Sequence, residues 1–363
     1  MLDVLEAQQT FEFDRVPVRP IPSLLRDFSA PVKLHYDYSD EALAFLMRHA
    51  RNEFARWDAA QMLINKAVID GVARVQHGQG VELSHTLLAV FVAILDEAAL
   101  DPALKAEILA LLGEAILAEL FEVADIDAIH QVRNGIQTAL AHAFGDRLLA
   151  CYESLRLSAY QVVHADMAKR ALKGVVLGYL AALDAAKADT LVREQYGAAD
   201  NMTDTLAALQ VANSHLLPCR AALLADFEVK WAHDGLVLDN WLRLVGAKPA
   251  KDVLDDVKQA MAHPTFSIRN PNRLRALIGS FAMNNQVQFH AADGSGYRFL
   301  TDLLIELNEV NPQVASRLIT PLIQFKRLDE GRKALVRAEL TRLANLDGLA
   351  RDLFEKVSKA LAQ

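Results

Sequence analysis

The chain has 363 residues, 52% hydrophobic and 23% charged, with a formal net charge of −8. That composition is globular and long enough for one large helical stack or two ordinary domains, and its acidic balance excludes a general binder of nucleic acid or anionic membrane, which needs clustered positive charge. No run approaches the ~18 uninterrupted apolar residues of a membrane span, the start has neither a basic nor an apolar leader region, and Cys151 and Cys219 are too few and too isolated for a disulfide framework or a Cys-rich metal site. The expectation is a cytoplasmic chain with two ordinary thiols.

The first 38 residues differ from the rest. Thr10 to Val16 alternates with the strand period, Pro17, Pro20, Pro22 and Pro31 forbid a helix, and Val32 to Tyr36 alternates again. Two short strands cannot make an independent sheet. Residues 1–38 therefore read as the last strands of a β domain otherwise absent from this chain, or as an arm packed on the helices.

From Ser39 the period becomes helical: Leu43, Met47, Ala50, Phe54 and Trp57 form one stripe, with Arg48, Arg51, Asn52 and Arg56 largely off it. Helix starts then recur with one device. Proline just inside a helix sacrifices an amide that had no partner anyway, and Asp or Asn before it caps the remaining free amides. Asp101-Pro102, Asn270-Pro271 and Asn311-Pro312 have both parts; Pro218 and Pro249 have the second. Breaks at Gly78-Gln79-Gly80, Asp200-Asn201, Gly246, Asp293-Gly294-Ser295-Gly296 and Asp347-Gly348 leave about fifteen helices with short connections and no strict sequence period. The expected fold is all-α: residues 39–363 form a HEAT- or armadillo-like superhelix of paired antiparallel helices, preceded by a short β segment. The concave face of such a stack is the usual binding surface. Trp231, Trp241 and Phe281 fall on apolar helix faces and read as core.

No complete catalytic constellation is present. None of the eleven histidines is followed by Glu, and no two lie three or four apart, so the commonest helical zinc site is missing. His49 and Glu53 share an expected helix face, which reads as a surface pair. The Gly78 and Gly294 loops lack the third glycine of a dinucleotide cradle, and no Gly-x-Ser-x-Gly elbow occurs. The arginines are more specific. Asn270-Pro271-Asn272-Arg273-Leu274-Arg275 and the Asn311-Pro312-Gln313 to Arg317 run each put guanidinium groups inside the first turns of a helix, where free amides already attract anions. Residues 265–327 hold seven Lys or Arg against four Asp or Glu. Two readings stand side by side: a wall facing a carboxylate such as a peptide's far end, or bridges to Asp293, Asp302 and backbone carbonyls.

Several blocks carry a resemblance. They are Phe28 to Leu34, Phe45 to Asn52 with Arg56 to Gln61, Asn201 to Asp204, Leu217 to Arg220, Asn270 to Arg273, Phe289 to Ala291 with Asp293 to Tyr297, and Asn311 to Leu318. Over essentially the whole chain these resemble the C-terminal part of the bacterial aminopeptidase N family of zinc-dependent alanyl aminopeptidases. That family has an N-terminal β domain, a thermolysin-like catalytic domain, a small β-sandwich and a C-terminal helical superhelix that closes over the active site. The resemblance implies that this chain carries the end of the third domain and all of the fourth. The His-Glu-x-x-His zinc motif, the third zinc ligand, the catalytic tyrosine and the Gly-x-Met-Glu-Asn loop have no counterpart, so no catalytic or metal-binding residue is carried over. What it implies for this chain is a cavity lining by Arg275 and Arg317, with Asn272, Gln313 and Arg273 beside them. Zinc would belong to the parent enzyme's catalytic domain, the partners would be the enzyme's other domains and peptide substrates, and the chain alone would be inactive. A free-standing HEAT-like scaffold for protein interactions is the alternative.

Overall fold

The computed structural model describes residues 3–32 and 34–362. Among them are nineteen α-helices, four of which are single turns of four residues, and no strand. The all-α expectation holds. The two alternating runs near the start form no strand: residues 10–16 and the described part of 32–36 are irregular, and Lys33 lies outside the described residues. A strand pattern without a partner edge has nowhere to place its backbone hydrogen bonds. The arm is tied down over its second half, where Ile21 packs on the core, the Tyr38 hydroxyl donates to the Pro22 carbonyl at 2.9 Å and Asp27 pairs with Asn52.

The first helical stripe is interrupted. Helix Asp40–His49 stops at Ala50, and Glu53–Gln76 restarts with Asn52 as its cap, the Asn52 side chain accepting from the Ala55 amide at 2.9 Å. His49 and Glu53 consequently sit on different helices rather than one face, because an Asn that caps the new helix competes with continuing the old one. Elsewhere helices pack both on their sequence neighbours and on helices further along the chain. Glu53–Gln76 packs on Ile126–Ser154, that helix on His164–Leu183, and Ala185–Ala198 on Met202–Ser214. Ser295–Val310 meets Glu330–Ala344, which meets Arg351–Leu361. One hydrophobic core runs from Tyr38 to Ala360, with a satellite around Leu209, Leu224, Phe227 and Leu244. Phe281 is buried; Trp231 and Trp241 are half-buried against the satellite.

The capping device works as its chemistry requires. Asp101 accepts from Ala103, Asn270 from Asn272 and Arg273, and Asn311 from Val314. One helix breaks the common period: Arg275–Asn284 is a ten-residue π-helix directly continuing the single turn Pro271–Leu274. Such wide helices are rare beyond one turn and tend to occur near functional sites. It packs on Gly235–Gly246, where the glycine at the end is required: a Cβ on Gly246 would collide with the Leu277 carbonyl oxygen and crowd the Phe281 amide.

The stack also bends back on itself. The Ala124 amide donates to the Arg327 carbonyl at 2.6 Å, and Arg327 Nη1 returns a bond to the Glu119 carbonyl at 3.1 Å, 208 residues away. Arg332 completes this clasp, bonding Asp127, Asp329 and the His290 carbonyl at 2.7, 2.9 and 2.6 Å. The segment around residues 114–130 is thereby held against the helices of the last quarter.

Candidate functional site

The π-helix and the clasp meet around one cavity, and the Asn-Pro helix starts lie next to these elements in sequence. The arginines here divide into two kinds. Arg273 is committed to structure: Nη1 meets Asp239 Oδ1 at 2.5 Å, Nε donates to the Thr265 carbonyl at 3.1 Å, and the paired side chains are only 11% and 6% exposed. Arg275 and Arg317 are exposed, and among the described residues neither pairs with a carboxylate; Arg275 reaches only its neighbour Asn272 Oδ1 at 3.3 Å. Asp302 is taken by Arg342, while the Asp293 side chain caps Ser295 and its carbonyl accepts from Arg298. Asn272 and Gln313 are exposed beside these two arginines in sequence. The expected free helix amides are largely occupied, since Asn270 and Asn311 take those of Asn272, Arg273 and Val314. An anion at Arg275 and Arg317 meets guanidinium groups more than open helix ends.

Two cavities lie inside the bend. The larger, about 610 Å³, has an apolar wall that includes Ala282 and Met283 from the π-helix with Ile323 and Leu328, and polar residues Gln286, His290, Lys326, Arg327 and Glu119. The second, about 410 Å³, is polar and includes Glu114, His130, Arg133, His215 and Asn285. None of Asn272, Arg273, Arg275, Gln313 or Arg317 lines either one. Arg317 adjoins the larger through its carbonyl, which accepts from the Thr320 hydroxyl at 2.9 Å; Thr320 is in the wall.

Titration follows burial and partners. His290 is nearly sealed, and burial, aided by the Arg332 cation, lowers its pKa to about 4, so it is neutral at pH 7. His130 is raised by its 2.6 Å hydrogen bond to Glu114. His215 is lowered by burial, then by Arg133. Burial and then the Asp189 carboxylate push the Cys219 thiol up to about 12, which makes it unreactive, and burial raises Cys151 too. Among the described residues no group of three or more His, Cys, Asp or Glu comes together to hold a metal, so a zinc ion does not fit this donor set. No helix among them is long and apolar enough to cross a membrane.

The sequence offered no route to His290 or Gln286 as cavity residues. Their roles depend on the clasp, which joins segments some two hundred positions apart. The basic excess of residues 265–327 did include Lys326 and Arg327, but without direction.

The all-α stack of packed helices defines a repeat domain. The chain belongs to the family described as "Domain of unknown function (DUF3458_C) ARM repeats", whose model matches residues 40–362; a second model, described as having an Ig-like fold, matches residues 1–37. It is 49% identical over 362 residues to aminopeptidase N of Escherichia coli K12 and 48% over 361 residues to that of Haemophilus influenzae Rd. Those alignments cover 100% and 99% of this chain but 42% and 41% of the relatives. The crystal structure of Legionella pneumophila aminopeptidase A in complex with aspartic acid matches with a TM-score of 0.87 at 30% identity, over 97% of this chain and 42% of that one. The chain spans about two fifths of the length of the relatives it matches, and it is the counterpart of the C-terminal domain of aminopeptidase N.

Proposed function

We propose that this chain serves as the C-terminal helical domain of a cytoplasmic zinc aminopeptidase that removes N-terminal amino acids from peptides. In that role it caps the active-site cavity, restricts entry to peptides and contacts the substrate's carboxyl side, while zinc and the catalytic groups belong to the enzyme's other domains. Residues 1–38 are then the last strands of a preceding β-sandwich, which accounts for a strand pattern that finds no partner here. The observation that carries the reading is the match at 49% identity across the whole chain to aminopeptidase N. The two exposed arginines without carboxylate partners, Arg275 and Arg317, give the carboxyl contact its chemistry, since guanidinium groups bind carboxylates with directed, charge-assisted hydrogen bonds. Arg273 supports the wall by fixing the helix start to Asp239.

The test has two parts. The purified chain should release nothing from alanyl or arginyl anilides, with or without zinc, and should bind a separately made catalytic fragment; hydrolysis by the chain alone defeats the reading. In the full-length enzyme, Arg275→Ala and Arg317→Ala should each raise KM for free peptides by about tenfold and leave C-terminally amidated peptides nearly unchanged, the loss of one charge-assisted contact. Equal effects on both peptide forms defeat the carboxylate role.

A further inference from the structure

The larger cavity has chemistry that neither the fold nor the reading above uses. Two polar side chains in it are more than nine-tenths buried: His290 at 7% exposed and Gln286 at 8%. His290 Nδ1 lies 2.9 Å from the Tyr297 hydroxyl. That hydroxyl is sealed in the core with no other partner among the described residues, so its proton belongs on the bond to Nδ1. The imidazole, neutral, then carries its own proton on Nε2, a donor without a partner among the described residues. Gln286 donates through Nε2 to the Met283 carbonyl at 2.7 Å and keeps Oε1 as an acceptor. Around these two groups are the apolar Ala282, Met283, Ile323 and Leu328, and at the rim Lys326 and Arg327, neither paired with a carboxylate among the described residues. The Glu119 carboxylate also lines the rim, leaving one net positive charge there.

We propose that this cavity binds the carboxy-terminal residue of a peptide that ends in an apolar side chain. The apolar wall takes the side chain, Lys326 and Arg327 attract the carboxylate, and His290 Nε2–H and Gln286 Oε1 pair with the last peptide unit's carbonyl and amide. About 610 Å³ accommodates one large residue with its peptide group. A plain fatty acid fits the wall and the cations but would bury both polar groups without partners, which is why the observations favour a peptide over a lipid chain. The site is separate from Arg275 and Arg317, which do not line it, and its binding is a property of this chain alone, so it stands or falls independently of the aminopeptidase reading.

Calorimetric titration of the full chain tests it, with N-acetyl-L-leucine, N-acetyl-L-leucinamide and octanoate as probes. N-acetyl-L-leucine should bind, and the amide at least about tenfold more weakly, as expected when a charged acceptor is lost. Lys326→Gln should weaken the acid several-fold, and Met283→Trp, which fills the cavity, should abolish binding while thermal unfolding stays cooperative. Arg327 is a poorer target, because its guanidinium also holds the Glu119 carbonyl in the clasp. The proposal is overturned by silence from N-acetyl-L-leucine with the chain folded, by equal affinity for acid and amide, by binding of octanoate alone, or by undiminished binding to Met283→Trp.

Discussion

Residues 3–20 and the helices beyond Asp40 both carry large apolar side chains, yet these end in opposite states. Val4, Phe13 and Val18 are 71%, 67% and 73% exposed, whereas Ile136, Leu277 and Phe289 are fully buried. A helix satisfies its own backbone and needs only a face to pack, so each helix here can be buried by whichever helices lie against it. A strand must borrow hydrogen bonds from another strand, and residues 10–16 have none to borrow from. The helical body buries its own apolar faces, while the arm leaves most of its own exposed.

That contrast is tested hardest by attacking the body where it has no slack. Phe281→Ala should cost about 3–5 kcal/mol through the cavity it leaves, and Asp239→Ala a similar amount by stranding the buried Arg273 cation. Urea unfolding of each variant measures this, and a loss below about 1 kcal/mol would mean that the packing around the π-helix is soft. Next comes pH. The native His290 pKa of about 4 lies below its ordinary 6.5, so the unfolded chain takes up the proton first as the medium acidifies. Stability from this residue is fully present above about pH 6.5 and is lost as pH falls towards 4, by about 3 kcal/mol at most. Unfolding curves across that range should slope upward with pH, and His290→Gln should flatten them. The smallest effects contrast a cap with the arm. Asn311→Ala should cost about 1 kcal/mol, whereas removing residues 1–16 should change stability by less than about 0.5 kcal/mol. A large loss on truncation, read from the same curves, would show the arm to be part of the fold.

Much of the body was legible from local chemistry. The Asp101, Asn270 and Asn311 caps before proline all form, Asn201 caps Met202–Ser214, and Gly294 and Gly348 take the left-handed turns that favour glycine. Reading the break at Ala50 required weighing Asn52 as a cap against the apolar stripe that runs through it, and the stripe misled. Of the arginines, sequence marked the right neighbourhood but could not separate Arg273 from Arg275: the difference is Asp239, thirty-four residues upstream. The π-helix was illegible as well, since no residue type in Arg275–Asn284 marks the wider turn.

The clasp between Ala124, Arg327 and Arg332 has a mechanical corollary. Open repeat arrays lose units one at a time from either tip, because each touches only the next. Here residues 327–332 are latched to residues 119–127, so fraying that has run through the last two helices must next break bonds to a segment made two hundred residues earlier. An unzipping that starts at the tip therefore meets a barrier at residues 327–332, where an open array would offer none.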